Sequence, residues 1–393
     1  MASAFAFDKT KKTVVLLNHL DVVPANEEGW KYQPFEGTIL NDTLYGRGVL
    51  DMKGLAIMQL YALKSLRAKA DSTVLKYNFV MLCVSGEESG GHNGAALITE
   101  PAMLRVLNPL VVFGEGGGGL THVVPGKPEE LCFFVSNAEK KCLWIKLEAR
   151  VKSRGHGSAA GEKTANKILL RAINKIENTE RRIIIDHSAK RSFRELGKIM
   201  GGTRGFVLKH FDWWVFKPFR KQIVKSNEAL KVLVSNSYEL TRLDNPKGPV
   251  NQVSQLAAAY YDCRLLPHRS EKPFFMKLLF RIIDPRIRIT VLDESPTAEA
   301  SIADENFDKA SAAIQSVFPK AHVIPVLFPA TTDNSYFRSV NIPAFGFLPF
   351  ELNESMMESV HAANEKIPLK ALDQGIHVYE TLLLNYIQNT PRK

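Results

Sequence analysis

One apolar segment near the start of the chain constrains the fold most. Residues 13–24 read TVVLLNHLDVVP, a run of β-branched and leucine residues that leads to His19, one spacer residue and Asp21. Such a run is typical of a buried strand in a parallel sheet. Because alternate residues of a strand point to the same side, the imidazole can bind a metal ion while the carboxylate holds its second nitrogen. The alternative is a structural histidine beside a solvated aspartate.

Acidic residues follow two further strand-like segments. Residues 77–84, YNFVMLCV, lead into Glu87 and Glu88, and another short apolar run ends just before Glu115 in a glycine-rich stretch. In an open parallel sheet, ligands bind at the carboxyl ends of the strands. We therefore expect these carboxylates to gather near His19, although acids in loops are also common as solvated groups.

Two more residues complete a candidate ligand set. Asp51 lies in GRGVLDMKG, just before residues 55–66, which are almost wholly apolar and predict a buried helix. Asp51 can cap that helix, because aspartate is favoured at helix starts, or it can bridge two metal ions. For Asp51 both interpretations, helix cap and bridging ligand, remain open. His361 lies beside acids in a predicted loop near the C-terminus.

The periodicity changes at about residue 139 and returns to the first pattern near residue 302. Between these points we predict a strand-helix-strand-helix-strand unit, in which residues 180–245 are extra. The fold class is therefore α/β, with a mostly parallel sheet in the catalytic domain and an inserted α+β lid of ferredoxin-like type. The predicted boundaries are 1–138 and 302–393 for the catalytic domain and 139–301 for the lid.

Composition excludes several classes of protein. The 393 residues are 45% hydrophobic and 23% charged, which suits a globular chain of two domains. No apolar run reaches the roughly 18 to 20 residues that span a bilayer, and the first residues lack a signal-peptide pattern. We expect a cytoplasmic chain, unless a signal or an anchor has been trimmed from it. The four cysteines form no CxxC pair, so we expect reduced thiols.

The net charge of +10 would suit nucleic acid, an anionic membrane or an acidic substrate. Basic residues are scattered, however, and concentrate only in residues 209–225, KHFDWWVFKPFRKQIVK. We expect a solvated basic surface and no nucleic-acid partner. The aromatic group Trp213, Trp214, Phe216 and Phe219 can face a membrane, bind an acyl chain or pack on the lid, and we favour packing over membrane contact.

Six motifs, in this order, resemble those of the M20 family of zinc metallopeptidases: HLD, GRGxxDMKG, SGEESGG, GEGG, SRGHGS and ESVHAANEKIP. The resemblance covers nearly the whole chain, and the size of the insertion is similar to that of the carboxypeptidase S branch. It implies two zinc ions per chain. His19, Asp51 and Glu115 would hold one ion, and Asp51, Glu88 and His361 would hold the other, so that Asp51 bridges the pair.

The resemblance also implies roles for residues around the metals. Glu87 would be the general base, and Asp21 would orient the histidine ligand. His156, from the lid, would donate a hydrogen bond to the oxyanion, reaching across a homodimer that forms through the lid. Asn251 would contact the substrate, although Ser254 stands where many members have proline.

The implied activity is hydrolysis of an amide bond to release a C-terminal amino acid from a peptide or an N-acyl amino acid. The alternatives are an aminoacylase acting on N-acyl amino acids, fatty-acyl ones included, and a non-catalytic binding protein on the same scaffold. Two departures from the family stand out. Fewer residues precede His19 than in most members, and residues 293–297, DESPT, lack the arginine of the Gly-Arg-Pro motif that binds a substrate carboxylate.

Overall fold

The computed structural model describes residues 1–26, 28–69, 75–152, 156–159, 163–225, 228–267 and 271–387. The strands are β1 (Ala2–Ser3), β2 (Thr13–His19), β3 (Thr38–Leu40), β4 (Thr43–Tyr45), β5 (Asn78–Val84), β6 (Pro109–Gly114), β7 (Gly117–Leu120), β8 (Cys132–Glu139), β9 (Lys141–Arg150), β10 (Ser237–Asp244), β11 (Leu256–Leu265), β12 (Ile287–Glu294), β13 (His322–Phe328), β14 (Ala344–Gly346) and β15 (Lys366–Pro368). The helices are α1 (Lys53–Lys69), α2 (Ala95–Ile98), α3 (Pro101–Leu107), α4 (Ala165–Glu177), α5 (His187–Met200), α6 (Gly202–Lys209), α7 (Lys217–Lys225), α8 (Glu228–Val234), α9 (Glu271–Ile282), α10 (Glu305–Val317), α11 (Asn334–Ser339), α12 (Glu354–Met357) and α13 (Leu369–Ile387).

The largest sheet has the strand order β1-β5-β2-β6-β14-β8-β13, and β7 pairs with β8. Strand β2 runs parallel to both β5 and β6, and β13 runs parallel to β8. The antiparallel pairs join β1 to β5, β7 to β8 and, at Gly346 and Ser136, β14 to β8. The prediction of an α/β fold with a mostly parallel sheet is therefore confirmed.

Strand β2 shows why this sheet is buried on both faces. Val14 and Leu16 pack into a cluster with side chains of α1, α10 and α13, whereas Val15 and Leu17 pack on the opposite face with side chains of α11. All four side chains are almost fully buried, which is worth about 1.5 to 3 kcal/mol each relative to exposure. The carboxyl end of β2 is therefore held rigidly in the middle of the sheet.

The inserted domain has a second sheet, with the order β10-β11-β9-β12 and antiparallel pairing throughout. With α4 and α9 it follows the chain order strand-helix-strand-strand-helix-strand, which is the ferredoxin-like arrangement and confirms the predicted lid type. One detail of the prediction is wrong, because β10 lies inside residues 180–245, which were treated as extra. This edge strand buries only Tyr238, so it carries little apolar pattern. Residues 153–155 of the SRGHGS motif, ahead of His156, lie outside the described residues.

Helices α5 to α8 form an insertion between α4 and β10. They share a small core of their own, in which Phe193 and Phe211 are 1% exposed. Helix α5 also contacts the catalytic domain, where the Ser192 hydroxyl donates to the Pro325 carbonyl at 2.7 Å. None of the described helices combines the length and the apolar character required to cross a membrane.

Candidate metal centre and active site

The ends of three parallel strands bring the candidate ligands together. His19 is the last residue of β2 and is 1% exposed, and it lies in register with Val84 at the end of β5. Glu88 lies in a 3-10 turn just beyond β5, and Glu115 directly follows β6. Because these strands are parallel neighbours, their carboxyl ends meet at one edge of the sheet.

Two groups of three side chains can each hold a metal ion. In the first group, His19 Nε2 lies 3.2 Å from Asp51 Oδ1 and 3.8 Å from Glu115 Oε1. In the second, His361 Nε2 lies 3.1 Å from Asp51 Oδ2 and 3.3 Å from Glu88 Oε2. Within each group the ligand atoms lie within 4.8 Å of one another. Asp51 belongs to both groups and offers one carboxylate oxygen to each, which is the geometry of a bridging ligand.

The main chain around Asp51 is organised by a buried glutamate that the sequence analysis did not identify. Glu365 Oε1 accepts hydrogen bonds from the backbone N–H groups of Leu50 and Asp51, at 2.8 and 3.0 Å. Its Oε2 accepts from the Gly48 N–H at 2.8 Å and pairs with Arg47 Nη1 at 2.9 Å. Glu365 occurs in the last of the six motifs, but no local pattern separates it from the solvated acids near it.

These contacts favour the bridging interpretation of Asp51 over the capping one. Helix α1 begins at Lys53, and the recorded partners of the Asp51 carboxylate are His19 and His361. The Asp51–Met52 peptide bond is cis. His361 adopts a backbone φ of 58°, a left-handed conformation that is uncommon for residues other than glycine and that clusters at functional sites.

Asp21 lies beside His19, but its backbone carbonyl, and not the predicted carboxylate, is the hydrogen-bond partner of the histidine. The acceptor for His19 Nδ1 is the backbone carbonyl of Asp21, at 2.9 Å, whereas the carboxylate oxygen is 3.7 Å away. The carboxylate instead accepts hydrogen bonds from the backbone N–H groups of Glu87 and Glu88, at 3.4 and 3.3 Å. Asp21 therefore links the histidine ligand to the turn that carries both glutamates.

Glu87 lies within this acidic cluster but belongs to neither ligand group. Burial raises the pKa of its carboxyl group; the charge of His19 opposes this shift, while Asp333 and Glu88 add to it, and the result is about 8. Asp333, which the sequence analysis did not single out, has its own pKa raised by burial to about 7. A buried carboxylate outside the ligand set is free to exchange a proton.

The titration of the ligands indicates a site suited to cations. Burial lowers the pKa of His19, but its hydrogen bond to Asp51 and the charges of Glu115 and Glu87 outweigh that effect and raise it to about 11. Hydrogen bonds to Asp51 and Glu88 raise the pKa of His361 to about 10. Burial raises the pKa of Glu115 well above its usual value. The surrounding carboxylates therefore stabilise positive charge at this site, which in the metal-free protein is carried by protons. Nitrogen and oxygen donors of this kind suit divalent transition metals.

One further atom supports a cation at the second group. Glu88 Oε1 is buried and has no hydrogen-bond partner among the described residues, while Oε2 faces His361. A buried carboxylate oxygen without a partner is costly, and a bound metal ion would satisfy it.

The predicted lid residues lie together at an exposed place on the lid. His156 Nε2 is 3.4 Å from Asn251 Nδ2, and the Gly157 N–H donates to the Asn251 carbonyl at 2.8 Å. Across the part of the chain that the structure describes, no hydrogen bond or ion pair joins His156 to the five ligands. The structure therefore pairs the two lid residues with each other and leaves the His156 ring open to solvent.

Other lid residues contact the catalytic domain near the acidic cluster. His92 Nε2 lies 2.6 Å from Asp293 Oδ1 of β12, just beyond the turn that carries Glu87. Arg264 of β11 donates to the Thr331 hydroxyl at 3.3 Å and pairs with Asp262 through two bonds of 2.9 and 3.0 Å. Arg264 thus brings a lid cation to the Thr331 loop, although Asp262 already occupies much of its bonding capacity.

A large cavity begins at the metal centre and runs towards the insertion. Its volume is about 1320 Å³, and it adjoins Asp51, Glu115 and Val360, which precedes His361. Its remaining wall is mostly apolar and includes Phe134, Leu348, Val207, Phe211, Ile223 and Leu233. Two ligand groups that share a carboxylate, a partly buried glutamate outside both groups and a large cavity define a metal-dependent hydrolase.

Comparison with known families agrees with that class. Residues 15–385 match the family described as Peptidase family M20/M25/M40. The chain belongs to this family of hydrolases, and the family prediction made from the six motifs is confirmed.

The related proteins include an N-fatty-acyl-amino acid synthase/hydrolase, a carboxypeptidase S-like protein and an aminoacylase. The chain is 27% identical to the mouse N-fatty-acyl-amino acid synthase/hydrolase PM20D1, over 97% of this chain and 75% of that protein. It is 26% identical to the probable carboxypeptidase S-like 1 of Dictyostelium discoideum, over 96% of this chain and 74% of that one. Rat aminoacylase-1A is also 26% identical, over 94% and 79% of the two chains.

Solved structures share the architecture. The M20 family metallo-carboxypeptidase Sso-CP2 from Sulfolobus solfataricus superposes with a TM-score of 0.69 and 22% identity, covering 96% of this chain and 85% of that one. Human carnosine dipeptidase 1 gives a TM-score of 0.66 with 16% identity, covering 98% and 82%. At these identities the likeness supports the fold, and the site rests on the residues described above.

Proposed function

We propose that this hydrolase is zinc-dependent and cleaves N-acyl amino acids whose acyl group is long and apolar. The observation that carries the substrate assignment is the cavity of about 1320 Å³ that opens from Asp51 and Glu115 and is walled largely by apolar side chains. A free amino acid or a short polar peptide would leave this wall in contact with water, whereas an alkyl chain would bury it.

The five ligands would hold two zinc ions, one at each group, with Asp51 shared between them. Imidazole and carboxylate donors suit zinc, and two such ions supply Lewis-acid polarisation of the scissile carbonyl and lower the pKa of the attacking water. Proton transfer and stabilisation of the oxyanion would be carried out by residues of the chain.

Glu87 would take the proton of the attacking water and deliver it to the leaving amine. This role needs a carboxylate that does not bind metal, and Glu87 lies partly buried beside the ligands yet outside both groups. Positive charge bound nearby would lower its pKa and keep it ionised at neutral pH, which is the form a base requires.

His156 would donate to the oxyanion from the lid of a partner subunit. Two features support a homodimer through the lid. The His156 ring is exposed, and helix α9 presents a row of exposed apolar side chains, among which Leu279 is 49% exposed and Phe280 is 69% exposed. Burial of such a row in a dimer would be favourable, whereas its exposure in a monomer is not.

The substrate proposal is tested with a series of N-acyl derivatives of one amino acid, from acetyl to palmitoyl, and with blocked dipeptides. Burial of each added methylene group is worth about 0.8 kcal/mol, so kcat/KM should rise roughly fourfold per methylene until the cavity is filled. A preference for the acetyl compound or for the dipeptides would overturn the acyl-chain assignment and favour an aminoacylase or a carboxypeptidase.

A cavity-filling variant sharpens this test. Val207→Trp places a large ring in the cavity wall and should lower kcat/KM for palmitoyl substrates by about tenfold or more while sparing the acetyl substrate. Val106→Trp is the matched control, because Val106 is 44% exposed on α3 and does not line the cavity. An equal effect of Val207→Trp on both substrates would contradict the proposal.

A further inference from the structure

The helical insertion exposes a cluster of large apolar side chains. Between residues 206 and 219, five of them face solvent, with exposed fractions of 51% for Phe206, 46% for Trp213, 85% for Trp214, 44% for Val215 and 58% for Phe219. We call these five residues the insertion patch. Single exposed apolar residues are ordinary, whereas a contiguous group usually marks an interaction surface. The expectation that the aromatic group packs on the lid does not hold for Trp214.

The exposure does not come from a poorly formed core, because the same segment also has a buried face. Phe211 is 1% exposed and packs edge-to-face on Phe193, with 5.7 Å between the ring centroids, and Val224 is 4% exposed. Phe211 lies between the patch residues Phe206 and Trp213, and Val224 follows the last patch residue, Phe219. The segment therefore has one face turned towards the insertion core and one turned towards solvent.

The patch is held in place by its neighbours. The His210 ring lies between Phe206 and Trp213, at centroid distances of 4.6 and 4.0 Å. Arg220 donates to the carbonyls of Phe211 and Trp213, at 2.9 and 2.8 Å, and so closes the turn that presents Trp214. A surface that is ordered before binding loses less conformational entropy when it binds.

The charges around the patch are mostly positive. Residues 202–225 contain six lysines and arginines but a single acid, Asp212, which pairs with Lys190. The exposed cations include Arg204, Lys209, Lys217 and Lys221. Tryptophan and phenylalanine surrounded by lysine and arginine are the composition of segments that lie in the interface of an anionic bilayer. Lysine and arginine attract anionic headgroups, while the rings enter the boundary between headgroups and acyl chains.

A second copy of the chain fits this surface poorly. A symmetric contact would place the same cations of both copies against each other, and this repulsion would oppose burial of the aromatic side chains. The apolar row on α9 carries the proposed dimer, and it belongs to the lid rather than to the insertion. An anionic lipid surface offers complementary charge and an apolar interior together.

The patch is also continuous with the cavity. Helix α6 contributes Thr203, Arg204, Val207 and Leu208 to the cavity wall, and the same helix contributes Phe206 to the patch. Thr203 and Arg204 are exposed, so this end of α6 forms part of the cavity rim. The two surfaces are therefore adjacent faces of one short helix.

We propose that the insertion patch docks on the surface of an anionic lipid bilayer and brings the rim of the cavity to that surface. Docking itself depends only on the patch and its cations. A role of docking in substrate uptake rests on the proposed function. In that case an acyl chain dissolved in the bilayer could enter the cavity along α6.

The test is co-sedimentation of the full-length protein with two kinds of vesicle, in the absence of substrate. Vesicles of phosphatidylcholine with about one third phosphatidylserine should bind the protein, and vesicles of phosphatidylcholine alone should bind it at least roughly tenfold more weakly. Binding to the anionic vesicles should weaken as salt is added, and the tryptophan emission should shift to shorter wavelength on binding.

Variants separate the patch from the rest of the surface. The double variant Trp214→Ala with Phe219→Ala, and the double variant Lys209→Glu with Lys217→Glu, should each weaken vesicle binding by about tenfold or more. Phe35→Ala and Lys370→Glu are the matched controls, since Phe35 is 69% exposed and both residues lie outside the insertion. Hydrolysis of a short, soluble substrate should be unchanged in the patch variants.

Several outcomes would overturn docking. They are the absence of binding to anionic vesicles, equal losses in the control variants, and a patch variant whose mass in solution falls from dimer to monomer. Tighter binding to a single-stranded nucleic acid than to vesicles, lost in the same patch variants, would also count against it. Because binding is measured without substrate, its failure would leave the acyl-chain proposal standing. Failure of the acyl-chain series would likewise leave docking standing.

Discussion

The backbone N–H of Asp51 donates a hydrogen bond of 3.0 Å to Oε1 of Glu365, a residue 314 positions away in the chain. Asp51 presents one carboxylate oxygen to each proposed metal position. Glu365 is 0% exposed, and within the described residues its hydrogen bonds go to Arg47 and to backbone N–H groups rather than to a candidate ligand side chain. It therefore acts as a positioning residue, which fixes the main chain from which the bridging carboxylate projects.

We predict that Glu365→Gln lowers the affinity for metal by about 10- to 100-fold, because the amide cannot accept from both backbone groups and pair with Arg47 as a carboxylate does. Metal content after dialysis against a graded chelator measures this effect. Glu358→Gln is the control, since Glu358 is exposed in the same region. Unchanged metal content in a folded Glu365→Gln protein would remove the positioning role.

Metal removal should abolish turnover reversibly. We expect up to two divalent ions per chain, and we expect activity to disappear with a strong chelator and to return with zinc, because both groups share Asp51. Elemental analysis beside an activity assay measures both quantities. Full activity in demonstrably metal-free protein would contradict a metal-dependent mechanism.

The adjacent residues Glu87 and Glu88 should respond differently to the same substitution. Glu87→Gln should lower kcat by about 10²- to 10⁴-fold with metal content unchanged, because it removes a base and leaves the ligands intact. Glu88→Gln should lose metal from the second group, since Glu88 Oε2 faces His361. If Glu87→Gln retained full turnover, the base would have to be another residue.

His156→Ala should lower kcat by about 10²- to 10³-fold without changing metal content, because an oxyanion donor acts on the transition state. His122→Ala is the control, as His122 is an exposed histidine of the catalytic domain. If the donor comes from the partner subunit, mixed His156→Ala and Glu87→Gln dimers should regain activity. Subunit exchange verified by mass spectrometry but without recovered activity would refute donation across the dimer.

The stability of chelated protein should fall as the pH rises from about 4 to about 8. Burial raises the pKa of Glu87 to about 8 and that of Asp333 to about 7, so the folded chain binds these protons more tightly than the unfolded chain. Stability from such groups is complete below the unfolded pKa and is lost as the pH rises through the folded pKa. Melting temperature against pH measures this slope.

A variant and a metal control accompany the pH prediction. Asp333→Asn should flatten the slope, because it removes one of the two raised carboxyl groups. Added zinc should flatten it as well, since cations favour ionised carboxylates. A melting temperature that rises over the same pH range in chelated protein would contradict the assignment of these protons.

Much of the catalytic sheet could be predicted because its strands are buried on both faces. Thr13–His19, Asn78–Val84 and Pro109–Gly114 are almost continuous apolar runs, and each ends close to a ligand. The prediction that their carboxyl ends meet followed from the parallel arrangement. No strand was predicted at Cys132–Glu139, although that strand is also largely buried, because Asn137 and Glu139 interrupt its apolar pattern.

Exposed or glycine-rich strands could not be predicted in the same way. Ser237–Asp244 lies at the edge of the lid sheet and has little buried surface, so it carries no clear alternation. No strand was predicted at Gly117–Leu120, which belongs to a glycine-rich stretch, yet it pairs with β8. In both cases the segment is extended because it pairs with a neighbouring strand, and its own side chains carry no pattern that predicts this.

The sequence by itself determined the chemical types of the ligands, their order along the chain and the apolar strands that carry them, because these depend on local residue pattern. Only the tertiary structure decided that Glu365 holds Asp51, that the Asp21 carbonyl holds His19 and that Trp214 faces solvent. It also decided where the cavity lies. These relationships join residues far apart in the chain, and packing between elements sets such distances, which no local pattern encodes.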